Sequence, residues 1–230
     1  MSGAVIIGAG PGIGQAVARR FAREGMPITL IARGGQTLRA VASEVASHGA
    51  SRGTPHGAPH GVPVVTLQAD STDRAELDAA LDRAIGEHGV PEVAVYNAAL
   101  VRVDEVGEIS VREHMEAWAV NVVGALNAAA RLAPAMAARG RGTFLVTGGM
   151  PEPKPQYVSL SLGKAGVRTL VALLDQQYGS SGVHVASVTV DGPVAPGTDF
   201  DPDDIAEHYW QLHTQPRHLW DREVLHAGRC

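Results

Sequence analysis

The stretch Ala4-Val5-Ile6-Ile7-Gly8-Ala9-Gly10-Pro11-Gly12-Ile13-Gly14 runs from a short apolar, β-branched segment into four glycines within seven residues. The first part reads as a buried strand. The glycines read as a tight turn into a helix, because glycine alone permits a sharp reversal with close backbone approach. A turn of this kind after a first strand suits a pyrophosphate, which the unpaired N–H groups and positive dipole of the following helix would hold. The common G-x-G-x-x-G spacing is broken, because Ile13 stands where its third glycine would fall. Gly8, Gly12 and Gly14 instead follow G-x-x-x-G-x-G.

Outward from this turn the pattern repeats. Strand-like runs cover residues 4–7, 28–31, 64–67, 93–96, 143–147 and 183–190, and most are continuously apolar, as expected where helices cover both faces of a parallel sheet. Helical patterns lie between them at 13–24, 36–47, 74–88, 110–139 and 158–178. Ser110 with Glu113 forms a capping box, and Asp201-Pro202 offers an N-cap with proline in the first turn of a further helix. The alternation predicts a single α/β domain over residues 1–230: a Rossmann-type, doubly wound parallel sheet in three α/β/α layers, closed by a C-terminal helix and tail over 201–230.

Composition bounds the function. A chain of 230 residues with 45% hydrophobic and 19% charged residues can bury a full core and is too apolar for disorder. Its formal charge of −5 argues against nucleic-acid binding. The single cysteine, Cys230, cannot form an internal disulfide, and the N-terminal apolar run is too short for a membrane span, so a cytoplasmic protein is expected. Residues 48–63, HGASRGTPHGAPHGVP, predict an extended surface loop rich in glycine and proline. His48, His56 and His60 lie in it without cysteine or acidic partners, so no metal site is expected.

The chain resembles the short-chain dehydrogenase/reductase family. The turn Gly8–Gly14 is similar to that family's TGxxxGxG signature, and other elements follow in the family's order over residues 3–200. Asp70 matches an acid that contacts adenine, Asn97-Ala98-Ala99 an N-A-G element, and Asn121-Val122-Val123-Gly124 an N-V-x-G element. Lys164-Ala165 matches the family lysine. The resemblance implies a nicotinamide cofactor held by Gly8, Gly12, Ile13, Gly14, Asp70, Asn97, Ala98 and Lys164, with Val194 and Thr198 near its carboxamide. It also implies a homodimer or homotetramer.

Cofactor choice follows from charge. An acid after the second strand would bond a ribose 2′-OH and repel a 2′-phosphate, but the chain has neutral Ala32 followed by Arg33. The guanidinium's fork of donors favours NADP(H) over NAD(H).

The active site implied by the resemblance is incomplete. A tyrosine should stand four residues before the lysine as proton donor, and Leu160 stands there. Thr147 takes the place of a serine that polarises the substrate oxygen, while Asn121 is retained. Of four tyrosines only Tyr157 lies near Lys164 in the sequence, three residues out of register. The expected function is hydride transfer between NADP(H) and a small carbonyl or alcohol. Lys164, Thr147, Asn121 and Tyr157 form the candidate site, with the proton falling to Tyr157, a serine or a water. The alternative is an inactive NADP(H)-binding sensor or scaffold.

Overall fold

The computed structural model describes residues 2–49 and 61–228. Seven strands form one all-parallel sheet in the order β3-β2-β1-β4-β5-β6-β7. They are β1 (Ala4–Ile7), β2 (Ile28–Ala32), β3 (Val64–Gln68), β4 (Val93–Tyr96), β5 (Gly142–Thr147), β6 (Val183–Val190) and β7 (Glu223–His226). The helices are α1 (Ile13–Arg23), α2 (Gly35–Gly49), α3 (Arg74–His88), α4 (Val111–Trp118), α5 (Gly124–Arg139), α6 (Val158–Tyr178) and α7 (Pro202–Thr214).

Strand residues alternate between the two faces, and two cores result. Ile6, Leu30 and Val188 pack under α1, α2 and α7 with Val17, Phe21, Val41 and Tyr209. Ile7, Ile31, Phe144 and Val146 pack under α3, α5 and α6 with Leu81, Leu132 and Val171. Chain order reverses between β1 and β4, so the loops at their C-terminal ends diverge and leave a crevice.

Three elements depart from the sequence reading. The long helix expected over 110–139 is interrupted by a π turn at Ala119–Val123, which sets Asn121 at its centre. The Tyr96 hydroxyl donates to the Val120 carbonyl at 2.6 Å and holds the turn against β4. Helix α2 extends through His48 to Gly49, two residues into the stretch expected as a loop; residues 50–60, with His56 and His60, lie outside the described residues, as does Cys230. The stretch expected as tail adds β7, a short edge strand parallel to β6. Its Glu223-Val224-Leu225-His226 carries only two apolar residues, adjacent rather than alternating, too weak a pattern to mark a strand.

No helix among the described residues is long and apolar enough to cross a membrane. No group of three or more His, Cys, Asp or Glu among them could hold a metal ion.

Candidate active site

The glycine turn is built by close approach. Gly8 has φ of +87°, and a Cβ there would stand 2.3 Å from the Ala98 nitrogen. At Gly14 a Cβ would stand 2.5 Å from the Gly8 carbonyl oxygen, so β1, α1 and the end of β4 meet without side chains between them. Gly10 and Gly12 face open space instead. Helix α1 has no side-chain cap at Gly12, leaving its first N–H groups for an external anion.

A cavity of about 400 Å³ opens beside this turn, lined by Gly8, Gly10, Ala32, Arg33, Asp70 and Asn97 among others. Arg33 is exposed at its rim. Burial pushes the Asp70 carboxyl up, but the Thr72 N–H and hydroxyl and the nearby Arg33 charge outweigh this and hold it below the usual carboxylate range.

A second cavity, about 490 Å³, adjoins the first and shares Asn97 and Ala99 with it. Ile13, Val101, Met150, Leu160, Val190 and Val194 make it largely apolar, and Thr147, Lys154, Tyr157, Lys164 and Asp191 add its polar groups. Lys154 and Asp191, both partly exposed, face each other with 3.8 Å between Nζ and Oδ1. The chain has only two lysines among its 19 basic residues, and both line this cavity.

Lys164 is 6% exposed. Its Nζ donates to the Thr147 carbonyl at 2.7 Å, and desolvation lowers its pKa to about 8. Gly149 flanks its stem in the cavity wall, where a Cβ would stand 3.6 Å from Lys164 Cε, in ordinary van der Waals contact.

The Thr147 hydroxyl is fully engaged. It donates to Asn97 Oδ1 at 2.8 Å, while Asn97 Nδ2 donates to the Gly8 carbonyl at 2.8 Å. Having one proton, Thr147 can only accept from the Tyr209 hydroxyl, 2.7 Å away. Tyr209 comes from α7, is wholly buried, and has its pKa raised strongly by that burial. In the sequence it falls within the C-terminal helix and tail expected over 201–230, far from the lysine. The structure brings it behind the site, two bonded groups from Lys164, and only the three-dimensional return of α7 over β5 could have revealed it.

The other expected residues divide. Gly8, Asn97, Ala98, Arg33 and Asp70 line the first cavity; Ile13, Thr147, Tyr157, Lys164 and Val194 line the second. Asn121 is buried under the site, where its side chain clamps the Leu100 backbone, accepting from the N–H at 2.9 Å and donating to the carbonyl at 3.2 Å. Thr198 lines neither cavity: its hydroxyl donates to the Ala195 carbonyl at 2.8 Å and accepts from the Phe200 N–H, closing a local turn. Tyr157 is the N-cap residue of α6, before its first turn.

Asp104 supports that helix start, although no motif marks it in the sequence. Fully buried, it accepts from the Ser159 N–H and hydroxyl, each at 2.9 Å. A carboxylate from a separate loop therefore caps α6 and sets the direction in which the helix carries Leu160 and Lys164.

Residues 2–201 match the family model described as short chain dehydrogenase. An uncharacterised oxidoreductase of Staphylococcus epidermidis is 25% identical over 232 residues, covering 96% of this chain and 94% of that one. A metagenomic short-chain oxidoreductase solved in complex with NADP superposes with a TM-score of 0.85 at 25% identity, over 97% of this chain and 95% of that one. An alcohol dehydrogenase from the archaeon Thermococcus sibiricus, complexed with 5-hydroxy-NADP, gives 0.84 at 25% identity over 98% and 95%.

Proposed function

Because the chain belongs to the short-chain dehydrogenase family, we propose that it is an NADP(H)-dependent oxidoreductase that moves a hydride to or from a small carbonyl or alcohol. The observation that carries this reading is the pair of adjoining cavities, which run from Arg33 and Asp70 past the glycine turn to Lys164. The first has what a dinucleotide requires: glycines with open space, uncapped helix N–H groups and a carboxylate held ionised. The cofactor supplies the hydride acceptor or donor when bound. Gly10, Gly12 and the start of α1 hold its pyrophosphate, and Asp70 accepts from the adenine.

Neutral Ala32 and exposed Arg33 select a 2′-phosphate. The two similar structures named above hold NADP or 5-hydroxy-NADP, and this supports the same choice here. The second cavity takes the substrate against apolar walls, with Lys164 the charged group at its inner end. Exposed Met115, Trp118 and Leu162 on α4 and α6 support assembly into a homo-oligomer through that face.

A second reading is favoured by one observation. Leu160 lines the substrate cavity where the resemblance implies a tyrosine, and the Thr147 proton is already donated to Asn97, which suits a cofactor-binding sensor. Incubating the protein with NADPH and 4-nitrobenzaldehyde, 2,3-butanedione or 9,10-phenanthrenequinone, while following the loss of reduced-cofactor absorbance, separates the two. The oxidoreductase reading predicts turnover of at least one of these carbonyls. NADPH binding without turnover of any of them supports the sensor.

A further inference from the structure

We infer that Lys164 itself donates the proton to the substrate oxygen, doing directly what a hydroxyl acid would otherwise do in this cavity. This rests on the oxidoreductase reading above and deepens it. Three side chains beside the lysine have lost or engaged their labile protons: Leu160 has none, Thr147 donates to Asn97 Oδ1, and Ser159 donates to Asp104 Oδ1. Ser161 faces the Lys154 backbone, accepting from its N–H at 3.1 Å and donating toward its carbonyl.

Lys164 differs from all of them. Its Nζ carries three N–H bonds as an ammonium and has one hydrogen-bond partner among the described residues, the Thr147 carbonyl. That carbonyl belongs to the residue whose side chain bonds Asn97, and Thr147, Asn97 and Lys164 all line the second cavity, with Asn97 shared by the first. Leu160, Gly149 and Lys164 line the same cavity, and neither the leucine side chain nor the glycine brings a competing hydrogen-bonding side chain to the lysine. Tyr157 is seven residues earlier, about 10 Å along a helix axis, and precedes the first turn of α6.

Desolvation supports the assignment. Burial lowers the ammonium to about 8, which brings its proton within reach of transfer near neutrality. Arginine never releases a proton under such conditions. Of the chain's 19 basic residues the only two lysines face this cavity. The other titratable or charged groups around Lys164 are Lys154 and Tyr157 ahead of α6, Asp191 after β6, and Arg168 one turn further along α6. Tyr209 stands behind Thr147, and the π turn presents uncharged Asn121 and Val122 to α6, against Gly163 and Gly166.

The step balances. A hydride from the reduced nicotinamide forms the new C–H bond, the carbonyl π bond breaks toward oxygen, and a lysine N–H breaks as the O–H forms. The carbonyl is reduced, the nicotinamide is oxidised, and the neutral amine regains its proton from water.

The test uses full-length protein carrying 13C at the lysine ε-carbons, whose two signals Lys154→Arg assigns. Both are titrated with pH in the presence of NADPH, alongside the rate of NADPH-dependent reduction of 4-nitrobenzaldehyde, 2,3-butanedione or 9,10-phenanthrenequinone. The inference predicts that the Lys164 signal and the rate share one midpoint, with the rate falling about tenfold per pH unit above it. Lys164→Arg, which keeps the cation, should lose at least ~100-fold in rate when measured at saturating NADPH. Tyr157→Phe should leave the alkaline limb at the same midpoint, whatever its rate. A Lys164 signal that stays charged while the rate falls, or a limb that disappears in Tyr157→Phe and survives in Lys164→Arg, overturns the inference alone. Absence of NADPH binding, or of turnover with all three carbonyls, overturns the oxidoreductase reading and the inference together.

Discussion

The hydroxyl of Tyr209 on α7 lies 2.7 Å from the hydroxyl of Thr147 at the tip of β5, 62 residues earlier in the chain. Through it the last helix reaches a bonded series that ends at the glycine turn: Tyr209 to Thr147, Thr147 to Asn97 Oδ1, Asn97 Nδ2 to the Gly8 carbonyl. Each side chain in the series bonds the next, so each group's orientation depends on its neighbour.

Removing one member should therefore cost more than one bond. Tyr209→Phe leaves the Thr147 oxygen one donor short and is expected to lower stability by about 1–2 kcal/mol. Thr147→Val strands both the buried Tyr209 hydroxyl and Asn97 Oδ1, so its cost should be larger. Urea unfolding of both single variants and the double variant should show a coupling of about 0.5–3 kcal/mol. Strict additivity would mean that the two hydroxyls act independently.

The glycines of the turn should not be equivalent. Gly14→Ala puts a methyl 2.5 Å from a backbone oxygen, which only movement of the turn can relieve, and Gly10→Ala meets nothing within 4 Å. Thermal unfolding should show a loss of about 2–4 kcal/mol for the first and little change for the second.

Lys164 makes stability depend on pH. Its folded pKa, about 8, lies below its ordinary 10.5, so between these values the unfolded chain binds more protons than the folded one. Stability should therefore rise with pH across that window, and the charge-burial penalty of about 3 kcal/mol is fully present below pH 8. Lys164→Met removes the penalty and also the bond to the Thr147 carbonyl. Denaturation at pH 7 should find this variant about 1–2 kcal/mol more stable than the wild type, an advantage that shrinks as pH approaches 10. A less stable variant at pH 7 would show that the lysine's bond outweighs its desolvation.

How legible the fold was depended on how each element is buried. Strands covered on both faces, such as β1 and β6, are continuous apolar runs, and their bounds at Ala4–Ile7 and Val183–Val190 follow from the sequence. The capping box at Ser110 marks the start of α4 for the same kind of local reason. β7 is an edge strand with one side exposed, and nothing local distinguishes it from a loop. The π turn around Asn121 is invisible because the hydroxyl of Tyr96, from a different element, holds it.

The site divides along the same line. The turn glycines, Arg33, Asp70 and Lys164 are legible because each sits at a fixed offset from a strand or helix start. Tyr209 and Asp104 act from loops and helices remote in sequence, and no spacing rule reaches them. The absence of a tyrosine at 160 was plain from the sequence, but the engagement of the Thr147 proton required the structure.

The central claim, that this cleft binds NADP(H), is tested most directly by calorimetric titration with NADPH and NADH at low salt. Wild-type protein should bind NADPH at least about tenfold more tightly, a difference of ~1.4 kcal/mol that suits one charge-assisted contact to the 2′-phosphate. Arg33→Ala should abolish that preference without weakening NADH, and Ala32→Asp should reverse it. Equal affinity for the two cofactors in the wild-type protein, or binding of neither, would contradict the account.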